Sequence, residues 1–155
     1  MNTSNFRTTL HRKETMIVGY APGAWDMFHI GHLALLQNAR ELCDYLVVGV
    51  VPDHLIEIAK GKTPIVETQD RAAIVASIGI VDEVFVEQRP DKLITWSQRP
   101  FDVFLKGDDW KGTAKGTMLE QRFAEVGVRV EYLPYTRRTS STMLRAQLQE
   151  REAAR

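Results

Sequence analysis

Tyr45-Leu46-Val47-Val48-Gly49-Val50-Val51 is apolar on both faces and rich in β-branched residues, as a parallel strand covered by helices on each side requires. Working outward, apolar runs and helical stripes take turns along the chain. Leu35, Leu36, Ala39 and Leu42 share one stripe at three- and four-residue spacing while Gln37, Asn38, Arg40 and Glu41 face away, so the spacing predicts a helix over 31–42. A β-type run over 16–20 precedes it. Downstream come helix 68–78, strand 83–86, helix 91–97, strand 102–105, helix 117–126, strand 128–133 and helix 140–150. Pro52, Gly61 and Pro64 mark 52–60 as a loop or broken helix. Such alternation predicts a single-domain α/β fold, a Rossmann-like, doubly wound, five-stranded parallel sheet with ligands at the carboxyl ends of its strands. Residues 1–15, polar and aperiodic, are read as a mobile tail ahead of a domain over 16–155.

The size and composition suit one compact core: 155 residues, 44% hydrophobic and 26% charged. Twenty Lys and Arg cancel twenty Asp and Glu, so no net field draws the chain to nucleic acid or an acidic membrane, and any anion site must be local. The longest apolar stretch falls far short of the roughly 20 residues that span a bilayer. The N-terminus has no apolar signal core, and a cytoplasmic protein is expected. The single cysteine, Cys43, excludes an internal disulfide and, without Cys or His partners at ligand spacing, a zinc ribbon or finger; it reads as a buried apolar residue. No resident metal site is expected.

Four clusters fall at strand-to-helix turns. In Gly23-Ala24-Trp25-Asp26-Met27-Phe28-His29-Ile30-Gly31-His32, two histidines three residues apart at a helix start can face one point before exposed backbone N–H groups, where the helix dipole favours an anion. Gly31 and Gly23 permit close approach of a ligand to the backbone. The plain alternative is that His29 caps the helix and His32 is a surface residue. Second, Lys60-Gly61-Lys62 with Arg71 gathers three cations, or else forms a solvated loop. Third, Lys106-Gly107-Asp108-Asp109-Trp110 offers two carboxylates for a ribose hydroxyl, a lysine or a nucleotide-borne Mg²⁺, or is turn chemistry alone. Last, Thr136-Arg137-Arg138-Thr139-Ser140-Ser141-Thr142 opens the final helix with caps and free N–H groups.

His29-Ile30-Gly31-His32 after the first strand, with Gly23-Ala24-Trp25-Asp26 upstream, resembles the cytidylyltransferase-like nucleotidyltransferases and, within them, the glycerol-3-phosphate cytidylyltransferase branch. The likeness continues through Asp44–Val48, Val81–Val84, Lys106–Trp110 and the stretch before the last helix, nearly all of 16–148. It implies a small homodimer in which His29, His32, Lys62 and Arg71 are catalytic. Gly23, Ala24, Trp25, Asp26, Gly31, Lys60, Asp109, Thr136, Ser140, Ser141 and Thr142 would bind nucleotide, and Asp26, Asp82, Arg137 and Arg138 the second substrate. The sequence departs from the family pattern at Ala24 (threonine), Gly79 (arginine), Tyr135 (arginine) and Arg138 (glycine), leaving Arg137 or Arg138 to supply a missing cation.

The implied reaction is attack by a phosphate monoester on the α-phosphorus of CTP, with Mg²⁺ carried by the triphosphate. A monoester is mostly dianionic at neutral pH, with a second pKa of about 6, so no general base is required and the lack of a Ser-His-Asp or Cys-His arrangement is no objection. Two mutually repelling anions need alignment and positive charge instead. Three rivals stand beside this reading. His-x-Gly-His is also a signature of class I aminoacyl-tRNA synthetases, but this chain has neither the length nor a basic stripe for tRNA. An adenylyltransferase would use ATP on a sugar phosphate or FMN. A regulatory module that has lost catalysis would explain Ala24, Gly79 and Tyr135.

Overall fold

The computed structural model describes residues 16–134 and 140–155. Five parallel strands, β1 (Val18–Gly23), β2 (Tyr45–Val50), β3 (Glu83–Val86), β4 (Val103–Gly107) and β5 (Arg129–Leu133), lie in the order β3-β2-β1-β4-β5. Among the described residues six α-helices accompany them, α1 (Ile30–Arg40), α2 (Asp53–Lys60), α3 (Thr68–Ala76), α4 (Lys92–Gln98), α5 (Ala114–Ala124) and α6 (Ser141–Ala153), with a single 3-10 turn at Asp108–Trp110. The chain builds outward from β1 to β3, then crosses to β4 and β5, so β1 and β4 flank the point where the strand order reverses. That is where a doubly wound sheet opens a ligand crevice.

The period-two alternation of strand side chains splits the core into two layers. Ala21, Leu46, Val48, Val50, Val103, Leu105 and Leu133 face one side, against Leu36 and Ala39 of α1 and Val75 of α3. Tyr20, Val47 and Phe104 face the other, with Phe101 from the segment before β4, Phe123 of α5 and, at the margin, Leu93 and Trp96 of α4. Both faces of β2 are covered, as its unbroken apolar run requires.

At the amino edge of the sheet, an aspartate ahead of each of three strands accepts an N–H from a neighbouring chain segment. Asp44 takes Ile17 N, Asp102 takes Val18 N and Asp82 takes Leu46 N, each at 2.8 Å. These carboxylates satisfy N–H groups that the strand ladder leaves over. Asp82 also pairs with Arg40. It therefore lies at the rim opposite the carboxyl ends, and the expectation that it binds substrate is corrected: it is part of the sheet's construction.

At the carboxyl edge the sheet parts. The β1–β4 ladder ends at Tyr20–Phe104, although both strands run on, to Gly23 and Gly107. Val18 directs its backbone toward Asp102, so by two-residue alternation Pro22 faces β4 too, and proline offers no N–H there. Gly23 O, facing the other way, still accepts from Val51 N at 2.9 Å.

Among the differences from the sequence reading, two shape the crevice, while the helix read at 117–126 begins earlier, at Ala114, and the strand read at 102–105 runs to Gly107. The first strand extends past Tyr20 through Pro22 to Gly23. Residues 53–60 form a continuous helix rather than a loop: Pro52 sits at the N-cap, Leu55 and Ile56 are buried, and Gly61 closes the helix at φ 64°. The punctuating residues bound this helix and do not interrupt it. The N-terminal tail lies outside the described residues.

Gly49 permits the deepest polar contact. Tyr20 Oη crosses beneath it to donate to Glu87 Oε1 at 2.8 Å, and Lys92 pairs with the other carboxylate oxygen. Burial, then the Glu87 charge, pushes the Tyr20 hydroxyl well above its ordinary pKa. A Cβ at Gly49 would stand 2.1 Å from Tyr20 Oη. Gly49→Ala is expected to cost about 1–3 kcal/mol or more, read as a lower denaturant midpoint at unchanged slope; a midpoint equal to wild type would contradict this packing.

Candidate active site

A cleft of about 270 Å³ opens where β1 and β4 separate. It is lined from four directions: the β1–α1 turn (Gly23, Ala24, Trp25, Asp26), the start of α1 (His29, Gly31, His32), the basic segment after α2 (Lys60, Lys62), and the end of β4 with the start of α6 (Lys106, Asp109, Ser140, Ser141, Thr142, Arg145). The structure thus brings together sequence elements more than 110 residues apart.

The histidines are the best-defined part. His29 is the N-cap of α1, and its Nδ1 accepts from Gly31 N at 3.0 Å; His32 Nδ1 accepts from His29 N at 3.4 Å. The rings stack with centroids 3.9 Å apart, and His32 also meets the Trp25 ring edge-on. Because both Nδ1 atoms accept backbone protons, a neutral ring must carry its proton on Nε2. His29 Nε2 is buried and has no partner. Capping and ligand binding, alternatives when read from sequence, are compatible here because each ring has two nitrogens. Burial, reinforced by the His29 charge and opposed by Asp26, lowers the His32 pKa to about 4; burial lowers that of His29 as well. Both rings are therefore neutral Nε2–H donors at neutral pH.

The turn that presents them is strained. Trp25 and Met27 adopt positive φ, 57° and 50°, a region non-glycine residues occupy at a cost of order 1–3 kcal/mol. Trp25 Nε1 donates to Gly49 O at 2.9 Å, and its ring lies where a Gly23 side chain would fall.

Several expected ligand contacts prove to be construction. Arg71, fully buried, uses all five donors: Nε to Val66 O, Nη1 to Ala24 O and Val51 O, Nη2 to Asp53 Oδ1 and Thr68 Oγ1. It has no donor left for a phosphate and does not line the cleft. The catalytic role expected for Arg71 is corrected to a strut beneath the Gly23–Ala24 turn. Asp26 is also committed. Burial alone would raise its pKa, but Ile65 N, Val66 N and the Arg145 guanidinium hold the carboxyl below the usual range. It borders the cleft as a tie among three segments, not as a free acceptor. Ser140 caps α6 by accepting from Met143 N, while Ser141 Oγ donates to Asp26 O at 2.5 Å.

Lys60, Lys62 and Asp109 line the cleft and stay exposed. Thr136, Arg137 and Arg138 lie outside the described residues. Two charged lining residues escaped the sequence reading. Arg145 follows Ser141 by one helical turn, so the i,i+4 rule applied to a helix starting at the site would have found it. Lys106 stands in the quoted Lys106–Trp110 loop, a cation ending a buried strand. Its ammonium lies 4.1 Å from the Trp110 ring centroid and 3.6 Å from Asp109 Oδ1.

Residues 20–147 match the cytidylyltransferase-like family. The chain belongs to that family. Over 124 residues it is 35% identical to glycerol-3-phosphate cytidylyltransferase of Bacillus spizizenii, covering 79% of this chain and 90% of that protein. Over 105 residues it is 44% identical to the bifunctional protein HldE of Helicobacter pylori, covering 66% of this chain but only 22% of the relative. The crystal structure of a lipopolysaccharide core biosynthesis protein from Thermoplasma volcanium superposes with TM-score 0.67 at 27% identity, covering 78% of this chain and 97% of that one. As a nucleotidyltransferase of the cytidylyltransferase-like family, the protein places its His-x-Gly-His residues at the crevice. Its family arginine in α3, by contrast, sits beneath it.

Two outcomes follow. Arg71→Lys keeps the charge but not the planar fork, leaving buried carbonyls unpaired, and should cost about 3 kcal/mol. Weakened nucleotide binding at unchanged melting temperature would instead make Arg71 a phosphate ligand. For His32, the folded pKa lies below the unfolded value of about 6.5, so the unfolded chain takes up the proton first and stability falls as pH drops from about 6.5 toward 4. A melting series from pH 7.5 to 4.5 should show this loss, and His32→Asn should flatten part of the slope. An equal slope in the variant would refute the neutral buried ring.

Proposed function

We propose that this protein transfers CMP from CTP to a small phosphate monoester, glycerol 3-phosphate or a similar polyol phosphate, releasing pyrophosphate. The observation that carries this reading is the stacked histidine pair. Both Nδ1 atoms are held by backbone, and both rings border the cleft that Lys60, Lys62, Lys106 and Arg145 also line. The N-termini of α1 and α6 border the same cleft and add the positive ends of two helix dipoles.

The acceptor attacks as its own dianion, so the protein need not remove a proton. Its task is to align two anions and to donate hydrogen bonds where oxygens gain charge as pyrophosphate departs. Neutral Nε2–H donors suit that task, since their protons are fixed by the Nδ1 contacts. Mg²⁺ enters with the substrate, held chiefly by triphosphate oxygens. Asp109, exposed at the rim, is the lining carboxylate with an open approach, whereas Asp26 is occupied. Likeness to a glycerol-3-phosphate cytidylyltransferase over 90% of that protein's length supports CTP and a polyol phosphate. Action as a cytoplasmic homodimer belongs to the same reading. No described helix is long and apolar enough to cross a membrane.

A second reading has its own support. The higher local identity to the bifunctional relative, and the likeness to a lipopolysaccharide core biosynthesis protein, reach beyond the glycerol-3-phosphate cytidylyltransferases and keep ATP as donor with a sugar phosphate as acceptor beside the first reading.

Pyrophosphate release with each of the four nucleoside triphosphates, paired with glycerol 3-phosphate and with a sugar 1-phosphate, separates the two. CTP with glycerol 3-phosphate is the expected pair. Turnover confined to ATP and the sugar phosphate would transfer the assignment to the second reading, and nucleotide binding without turnover in any pair would overturn both. In the active pair, His32→Ala should lower turnover about 10²- to 10³-fold.

A further inference from the structure

Contiguous with the histidine-lined cleft, and sharing the Pro22–Gly23–Ala24 turn, Lys60, Lys106 and Asp109 with it, is a second cleft of about 330 Å³, walled by Leu55, Ile56, Phe104 and Trp110 with Glu87 and Lys92 among its lining. Only two cations among the described residues line both clefts, Lys60 and Lys106. Lys60 ends α2 and is exposed, so water screens its charge. The Lys106 side chain is only 20% exposed and is held between the Trp110 face and Asp109. The other cations nearby are committed or confined to one side: Lys92 pairs with buried Glu87, Arg145 with Asp26, Arg71 has all five donors engaged, and Lys62 lines the first cleft alone.

Nucleotidyl transfer demands that two anions meet, and a cation shared by two adjoining clefts is the group that can touch both. Resting on the transferase reading above, we propose that Lys106 is a catalytic residue whose ammonium bridges the nucleotide's α-phosphate and an acceptor phosphate reaching in from the second cleft. One oxygen of the dianionic acceptor forms a bond to the α-phosphorus. The bond from that phosphorus to the bridging α–β oxygen breaks, its electron pair leaving with pyrophosphate. No proton changes hands, and Lys106 stays charged throughout. Its half-buried setting strengthens the interaction, because charge acts over a longer range where water is excluded. Burial lowers the Lys106 pKa below the ordinary lysine value and the Asp109 carboxylate partly offsets it, while the contact to Asp109 on one side leaves the other ammonium protons to turn to the two phosphates.

Lys106→Met removes the ammonium and keeps a straight apolar stem along Trp110. CTP and ATP, each paired with glycerol 3-phosphate and glucose 1-phosphate, serve as probes, with binding of the nucleotide alone measured by calorimetry. In the pair that wild type uses, Lys106→Met should lower turnover about 100-fold while its nucleotide Kd moves less than about fivefold. Its circular dichroism and melting should match wild type, and Lys106→Arg, which restores the charge, should recover part of the lost rate. Turnover by Lys106→Met within about threefold of wild type would overturn the bridging role. So would a nucleotide Kd weakened as much as turnover, since the lysine would then serve the triphosphate alone. Inactivity of the wild type in every pair would instead sink the transferase reading, and the bridge with it.

Discussion

The parting of β1 from β4 is the constraint on which the rest depends. Parallel strands normally keep their ladder to the end, because an unpaired N–H or C=O in a covered sheet is costly. Here the ladder stops at Tyr20 and Phe104, and the next β1 position facing β4 is Pro22, which has no N–H to leave unpaired. On the β1 side the gap becomes a crevice without stranding a donor. Every group given a role in the proposed chemistry lines this opening, on the turn after β1, on the end of β4, on the basic segment that closes α2, or on α1 and α6, which begin beside it.

Around it, the polar residues divide into those that build the rim and those the building leaves free. Arg71 gathers carbonyls from the β1–α1 turn, the end of β2 and the segment before α3. Asp26 gathers the amides of Ile65 and Val66 together with Arg145 of α6. These two hubs lock the walls, and preorganised donors cost no rearrangement when charge develops. What remains free is a set of donors: two imidazole Nε2 atoms, lysines and helix N-terminal amides. A chain with no net charge thereby concentrates positive potential at one place, which suits a polyanionic substrate without drawing the whole protein to other polyanions.

The sequence carried much of this. β3 falls at the expected residues, 83–86, because it is bounded by a turn and bears β-branched and aromatic residues. The stripe of Leu36 and Ala39 does face the core. The candidate site was legible where it was local: His29, Gly31 and His32 occupy one helix start, so their convergence follows from three-residue spacing. Where the placement departs from the reading, the role had been carried over from the family resemblance. Arg71 has the composition of a phosphate ligand and the environment of a strut, and Asp82 has that of a substrate contact and the position of an N–H cap on the opposite rim.

Pattern and composition by themselves determined the parallel α/β architecture, the helix start that holds the histidine pair, and the rim of the sheet where chemistry would sit. Each follows from spacing along one segment or from the alternation of segments. Which cations and carboxylates are free was decided only by tertiary structure. A guanidinium or carboxylate is spent or spared according to the carbonyls and amides that distant segments bring within 3 Å of it, and nothing in its local sequence records them. Lys106 is the clearest case: an ordinary loop lysine in one dimension, and in three a half-buried charge on the wall shared by two clefts.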